Sequence, residues 1–182
     1  LRQHFIMYTG GIDLRKNIDG LIRAYAQLPL SLRAHHQLAI VCSVHPEEKE
    51  CLLQLAAQQG LEIGSVVMTG FVPDEELPIL YHACRLFVFP SWHEGFGLPA
   101  LEAMTCGAPV IAANTSSLPE VIGRADALFD PFSQHSITEK MAQALSDDAF
   151  RLSLREHGLV QCKKFSWDES ARLSIAAFEE SD

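Results

Sequence analysis

Apolar residues in this chain fall into short unbroken runs separated by stretches with helical spacing. His4–Thr9 (HFIMYT) is one such run, stopped by Gly10-Gly11, and it reads as a buried strand. Ile18, Leu21, Ile22, Tyr25 and Leu28 then recur at helical intervals until Pro29 closes the helix. The alternation repeats. Leu38–Val44 predicts a second strand, and Glu47–Gln59 a helix with Cys51, Leu52, Leu55 and Ala56 facing inward and Gly60 as its stop. Val66–Thr69 predicts a third strand, Asp74 the cap of a short helix running to His82, and Leu86–Phe89 a fourth strand. A helix to about Cys106, a fifth strand at Val110–Ala113, a helical turn around Pro119–Ile122 and a sixth strand at Ala127–Phe129 follow.

The last third is helical. Ser136 with Glu139 and Ser166 with Glu169 have capping-box spacing, and Ala149–Lys164 between them is amphipathic, with Asp147-Asp148 at a helix–helix junction. Strands that are apolar throughout and alternate with helices belong to a sheet covered on both faces. The expected fold is therefore α/β, a doubly wound, six-stranded and mainly parallel sheet. Such sheets bind ligands beyond the carboxyl ends of their strands. The glycine-rich turns after the first and fourth strands lie at those ends.

Composition narrows the partners. The 182 residues suit a single domain with a sizeable core. A net charge of -9 with no basic stripe argues against nucleic acid and against an anionic membrane surface. The five scattered cysteines read as buried inert thiols in a reducing, cytoplasmic setting. No apolar run approaches the roughly 20 residues that span a bilayer, and no signal peptide is recognisable. Leu1 runs straight into a predicted strand, which suggests a fragment of a longer chain. The histidines, His35-His36 included, lack metal-ligand spacing, so no metal is expected.

Two turns carry candidate chemistry. In PSWHEGFGLPALE, Gly95 and Gly97 let the backbone bend closely around a ligand, and Pro99 fits the first turn of a helix. Glu94 in the loop and Glu102 on the helix fit either a grip on sugar hydroxyls or ordinary surface acids. The second turn, TGGIDLRKN, sets Arg15 and Lys16 beside a helix start, where they fit either a diphosphate or solvent, while Asn17 fits a helix cap. His93 neighbours Glu94 without a clear role. Ser116-Ser117-Leu118-Pro119-Glu120 fits either an anion contact or simple capping.

Taken together, YTGGIDLRKNIDGLIRAY, GFVPDEELPILYHACRLFVFPS, the E-x7-E element Glu94 to Glu102 and GAPVIAANTSSLPEVIG resemble, in this order, the C-terminal half of glycosyltransferase family 4, retaining enzymes of GT-B fold. The likeness runs over nearly the whole chain. It implies a single nucleotide-sugar-binding domain over residues 1–182, lacking an N-terminal acceptor domain. The partners it implies are a nucleoside diphosphate sugar, bound without metal or cofactor, and a glycan or lipid-linked acceptor, with peripheral membrane association of the full-length enzyme. By position, Lys16 would meet the diphosphate. Glu94 and the backbone of Gly95, Phe96, Gly97 and Leu98 would hold the donor sugar, and Glu102 the ribose. Gly10 and Gly11 would shape the first loop, and Val72 would lie beside the base. Many family members carry arginine where Gly11 stands here, so either Arg15 would supply the second cation or charge stabilisation would rest mainly on Lys16. A non-catalytic nucleotide-sensing or interaction module, and a nucleotide-sugar epimerase or phosphorylase of the same fold, are the alternatives.

Overall fold

The computed structural model describes residue 1 and residues 4–179. Six strands form one sheet: β1 His4–Thr9, β2 His36–Val41, β3 Val66–Met68, β4 Leu86–Phe89, β5 Val110–Ala113 and β6 Leu128–Phe129. Every pairing is parallel, in the order β3-β2-β1-β4-β5-β6. Ile6, Met7, Tyr8, Phe87, Val88 and Phe89 are all fully buried, as strands covered on both faces must be. That explains why apolar runs located the strands. The mainly parallel sheet expected from the sequence is parallel throughout.

The order reverses direction at β1. Right-handed crossovers therefore place α1 (Ile18–Ala26) and α3 (Pro46–Gln58) on one face, and α5 (Leu98–Thr105) and α6 (Leu118–Ile122) on the other. Helix α7 (Gln134–Ser146) joins α1 on the first face, and α8 (Asp148–Gln161) packs on α5 on the second. Helix α1 offers Ile18, Leu21, Ile22 and Tyr25 to the sheet, the stripe its spacing foretold.

Several boundaries differ for local reasons. Pro29 does not simply close α1 but opens a further turn, α2 (Leu30–Arg33). Strand β2 starts at His36 and stops at Val41, because its partner β1 spans only His4 to Thr9 and Thr9 Oγ1 donates to Val41 O at 2.6 Å. Asp74 is not the cap of α4 (Leu77–Ala83). Pro78 needs no N–H partner in a first turn, so the helix begins beside it. Ser136 is not a cap either: Ser133 takes that place, accepting from the Ser136 N–H at 3.2 Å. Asp147 caps α8 through the Phe150 N–H. Ser166 accepts from the Glu169 N–H at the start of α9 (Trp167–Glu179), but the Glu169 carboxylate turns to Arg172. Of the cysteines only Cys84 is buried, and burial pushes its thiol up to about 12, whereas Cys51 is exposed on α3.

His36 ties β2 to α2, with Nδ1 2.8 Å from Leu32 O, and its own carbonyl accepts from Tyr25 Oη at 2.7 Å. Burial holds its imidazole below the ordinary 6.5. The Leu32 carbonyl opposes this, and His4, Arg85 and His35 reinforce it. The unfolded chain therefore binds this proton more readily than the folded one. The stability His36 contributes is fully present above pH 6.5 and is lost as pH falls through its lowered folded value. Thermal unfolding should accordingly fall more steeply between pH 7.5 and 5.5 in the wild type than in His36→Asn; equal slopes would remove His36 from the acid response.

Candidate functional site

The strand order reverses between β1 and β4, and there the connections leave on opposite faces. A crevice opens at their carboxyl ends, the usual ligand position in open α/β sheets. The loops that flank it are 10–17 after β1 and 90–97 after β4. They contain most of the candidate residues; Val72, Leu98 and Glu102 lie outside them.

Residues 14–16 form a single tight turn, closed by Lys16 N–H on Asp13 O at 2.8 Å. Asn17 ends it in the left-handed conformation, which asparagine tolerates better than most residues. The turn sends Lys16 inward. Its Nζ lies 2.6 Å from Glu94 Oε1 and 5.6 Å from the Phe89 ring centroid, and both charged residues are only 8% exposed. Arg15 stays half-exposed at the rim. Its Nη1 is 3.6 Å from Glu94 Oε2 and donates to His93 O at 3.3 Å, while its Nε pairs with Asp13 at 3.0 Å. A backbone bond from Trp92 N–H to Arg15 O, 2.8 Å, joins the two loops directly. Lys16, Arg15 and Glu94, far apart in sequence, are thus one cluster.

Asn17 does more than stand at a helix start. Its side chain makes no cap bond; Nδ2 donates instead to Pro90 O at 3.2 Å and Pro131 O at 2.9 Å, tying the ends of β4 and β6 to α1. Gly20 makes room for it, since a Cβ there would lie 2.2 Å from Asn17 Oδ1.

The loop after β5 straps the glutamate loop. Ser116, left-handed at φ 50°, accepts the Glu94 N–H on Oγ at 3.0 Å. Ser117 donates to Phe96 O at 2.7 Å and to Glu94 O at 3.2 Å, and Thr115 donates to Ser91 O at 3.1 Å. Ser117 precedes α6 without capping it, so the capping reading of this segment gives way to a bracing one. Among the described residues, the N–H groups of Gly95, Phe96 and Gly97 carry no protein hydrogen bond, which leaves three consecutive donors on the loop.

The remaining candidates lie further out. Glu102 is exposed on α5, 2.9 Å from Tyr81 Oη on α4. Burial, and then the Glu102 charge, raise the Tyr81 phenol far above its ordinary value, so it remains a donor to that carboxylate. The Phe96 and Leu98 side chains turn from the ion pair into an apolar hollow of about 290 Å³ beside Phe165 and Trp167. Phe96 meets Phe165 edge-on at 5.4 Å. Gly10 and Gly11 form the bend after β1, and Val72 is half-buried in the 69–76 connection at the same carboxyl end, beyond the edge strand β3. Among the described residues, no group of three or more His, Cys, Asp or Glu side chains could hold a metal ion. Nor is any helix long and apolar enough to cross a membrane.

The doubly wound parallel sheet, with a charged cluster and unpaired backbone donors at its switch point, is a Rossmann-like fold. The glycosyl transferases group 1 family model matches residues 1–160, and the chain belongs to that family. It is 47% identical over 178 residues to a serotype-specific mannosyltransferase WbdA of Escherichia coli, covering 98% of this chain and 22% of that protein. It is 43% identical over 177 residues to the O-antigen chain mannosyltransferase B of Escherichia coli, covering 97% of this chain and 46% of the relative. Among solved structures it resembles sucrose-phosphate synthase from Thermosynechococcus elongatus, with a TM-score of 0.85, 28% identity, and coverage of 98% of this chain and 45% of the other. It also resembles the C-terminal domain of a glycosyl transferase group 1 family protein, LpcC, from Francisella tularensis, with a TM-score of 0.77, 28% identity, and coverage of 90% and 85%. The chain spans less than half the length of these two curated relatives.

Proposed function

We propose that this chain is the donor-binding domain of a retaining glycosyltransferase of family 4, completed by an N-terminal acceptor domain in the full-length enzyme. The observation that carries the reading is the buried Lys16–Glu94 pair at the β1/β4 switch point, bordered by three unpaired loop N–H groups. Lys16 would take the donor diphosphate, with Arg15 as a second cation from the rim in place of an arginine at Gly11. Their charge would stabilise the diphosphate as it leaves, preorganised by the turn and by Asn17. Glu94 and the N–H groups of Gly95, Phe96 and Gly97 would hold sugar hydroxyls, with Leu98 closing the loop. Glu102, steadied by Tyr81, would accept from the ribose, and the backbone around Val72 would receive the base.

Retention would follow from front-face attack. The bond from the anomeric carbon to the diphosphate breaks, the acceptor oxygen bonds on the same face, and the leaving diphosphate takes the acceptor proton. Glu94 then orients the sugar and is not a nucleophile. No metal or cofactor enters this scheme. The mannosyltransferase relatives favour mannose as the sugar and a growing glycan as the acceptor.

Calorimetric titration with UDP, GDP and ADP and their mannose and glucose conjugates tests the reading. One nucleotide series should bind the wild type and bind Glu102→Gln more weakly, by about ten-fold or more for one charge-assisted bond. Absence of binding by every nucleotide would sink it, and turnover of a nucleotide sugar without acceptor would favour an epimerase.

A further inference from the structure

The opposite end of the sheet holds a second concentration of positive charge. Arg85 immediately precedes β4 and Pro109 immediately precedes β5. Because the strands are parallel, both mark the amino-terminal edge, remote from Lys16 and Glu94. A cavity of about 170 Å³ opens here, lined by His82, Arg85, Gly107, Arg151 and Arg155 among others. Arg151 and Arg155 are four residues apart on α8 and so share a face. The Arg155 guanidinium passes over Gly107, where an added Cβ would lie 3.4 Å from its Nε.

The charges in this cavity do not balance. A single carboxylate oxygen, Asp148 Oδ1, contacts both Arg85 Nη2 at 3.1 Å and Arg151 Nη1 at 2.6 Å, and the Asp148 side chain is 79% exposed. Among the described residues, no ion pair reaches Arg155. Arg85 Nε and Arg151 Nη1 are buried without an aligned hydrogen-bond acceptor, the second despite its approach to Asp148. Buried donors left without acceptors are costly, and cationic ones most of all. Burial and then the Arg151 charge pull the Arg85 guanidinium below its ordinary value, against the opposing pull of Asp148. A brace between α8 and β4 would need only the Arg85–Asp148 contact. It leaves Arg155 without an ion pair and Arg151 sharing one carboxylate oxygen with Arg85, around a hollow that such a brace does not need, in a chain whose net charge is -9.

We propose that this pocket is a binding site for a phosphate monoester, whose oxygens accept the forked donors of Arg85, Arg151 and Arg155. The planar guanidinium offers paired N–H groups that match phosphate oxygens two at a time, which a carboxylate shared between two arginines cannot supply to all three. The cavity, about 170 Å³, is below the roughly 300–1,000 Å³ usual for whole organic ligands, so it suits the phosphate group itself while the rest of the ligand lies outside. The site is separate from the donor crevice and does not depend on the transferase reading. The phosphate belongs to a soluble ester or to a lipid headgroup, and the two are separable.

Inorganic phosphate is titrated at constant ionic strength into the ¹⁵N-labelled chain while the arginine Nε–H resonances are followed, with chloride as the control anion. In parallel, the chain is sedimented with phosphatidylcholine vesicles that contain or lack phosphatidic acid. Phosphate should shift the Arg85, Arg151 and Arg155 resonances saturably. Arg151→Gln and Arg155→Gln should each weaken it about ten-fold or more, the scale of a charged hydrogen-bond pair, with native circular dichroism. Arg155 is partly exposed, so its variant tests the pocket without disturbing the core. Saturation by free phosphate without sedimentation points to a soluble ester, and sedimentation with phosphatidic acid vesicles points to a headgroup; either supports the site. Non-saturating shifts together with no preference for phosphatidic acid overturn it, as does wild-type affinity in both variants.

Discussion

Lys16→Ala and Glu94→Ala should each lower sugar transfer by the full-length enzyme by at least tens-fold, the scale on which one preorganised charge acts. Each also strands its partner. Both side chains are about nine-tenths buried, and removing one member of a buried pair costs about 3–5 kcal/mol of stability. Lys16→Ala should be somewhat less damaging than that range implies, because Arg15 Nη1 at 3.6 Å remains beside Glu94. The double change Lys16→Met with Glu94→Gln separates the two effects. It removes both charges at once, so stability by urea unfolding should largely return while transfer should not. Near-wild-type turnover in both single variants would falsify the assignment of this pair to the donor.

Gly97→Ala is the second large effect. Gly97 sits at φ 106°, a conformation that L side chains rarely adopt, and an added Cβ would lie 2.6 Å from Leu118 Cδ2. Leu118 is fully buried at the start of α6, so it has little room to withdraw. Backbone strain of about 1–3 kcal/mol is therefore joined by overpacking of similar size. Relief requires the 94–97 loop to move, which would pull the unpaired N–H groups and Glu94 from their places and break the Ser117 bonds. Urea unfolding should show a loss of at least about 2 kcal/mol, and nucleotide-sugar affinity should fall about ten-fold, with the bare nucleotide less affected. Native stability together with unaltered affinity would show that the loop tolerates the methyl group and that its shape does not set the site.

Much of this site was legible because its determinants are local. A glycine pair after an apolar run marks a strand end, and Pro99 two residues beyond Gly97 marks a helix start, so both loops could be placed at the carboxyl ends of strands. What surrounds the loops was not legible. Asn17 suited a helix cap, but its partners are the carbonyls of Pro90 and Pro131, 73 and 114 residues away. Ser117 suited a cap for α6, yet its hydroxyl serves the Glu94 loop about two dozen residues upstream. Tyr81 gave no sign of its role, since a tyrosine on an amphipathic helix looks like core until Glu102 is found beside it. The basic pocket was hidden for the same reason: Arg85 and the Arg151–Arg155 pair come from elements that only packing brings together.

From the sequence alone came the number and approximate place of the strands, their burial on both faces, the doubly wound class, and the position of two glycine turns at the carboxyl ends of strands. These follow from apolar periodicity and from glycine and proline geometry, which each segment carries within itself. The tertiary structure alone decided that β1 and β4 are neighbours. Parallel strands pair through long crossovers, and their order is settled by how helices cover the sheet. That order sets Lys16 beside Glu94 across 78 residues and brings two separate glycine turns together as one candidate site.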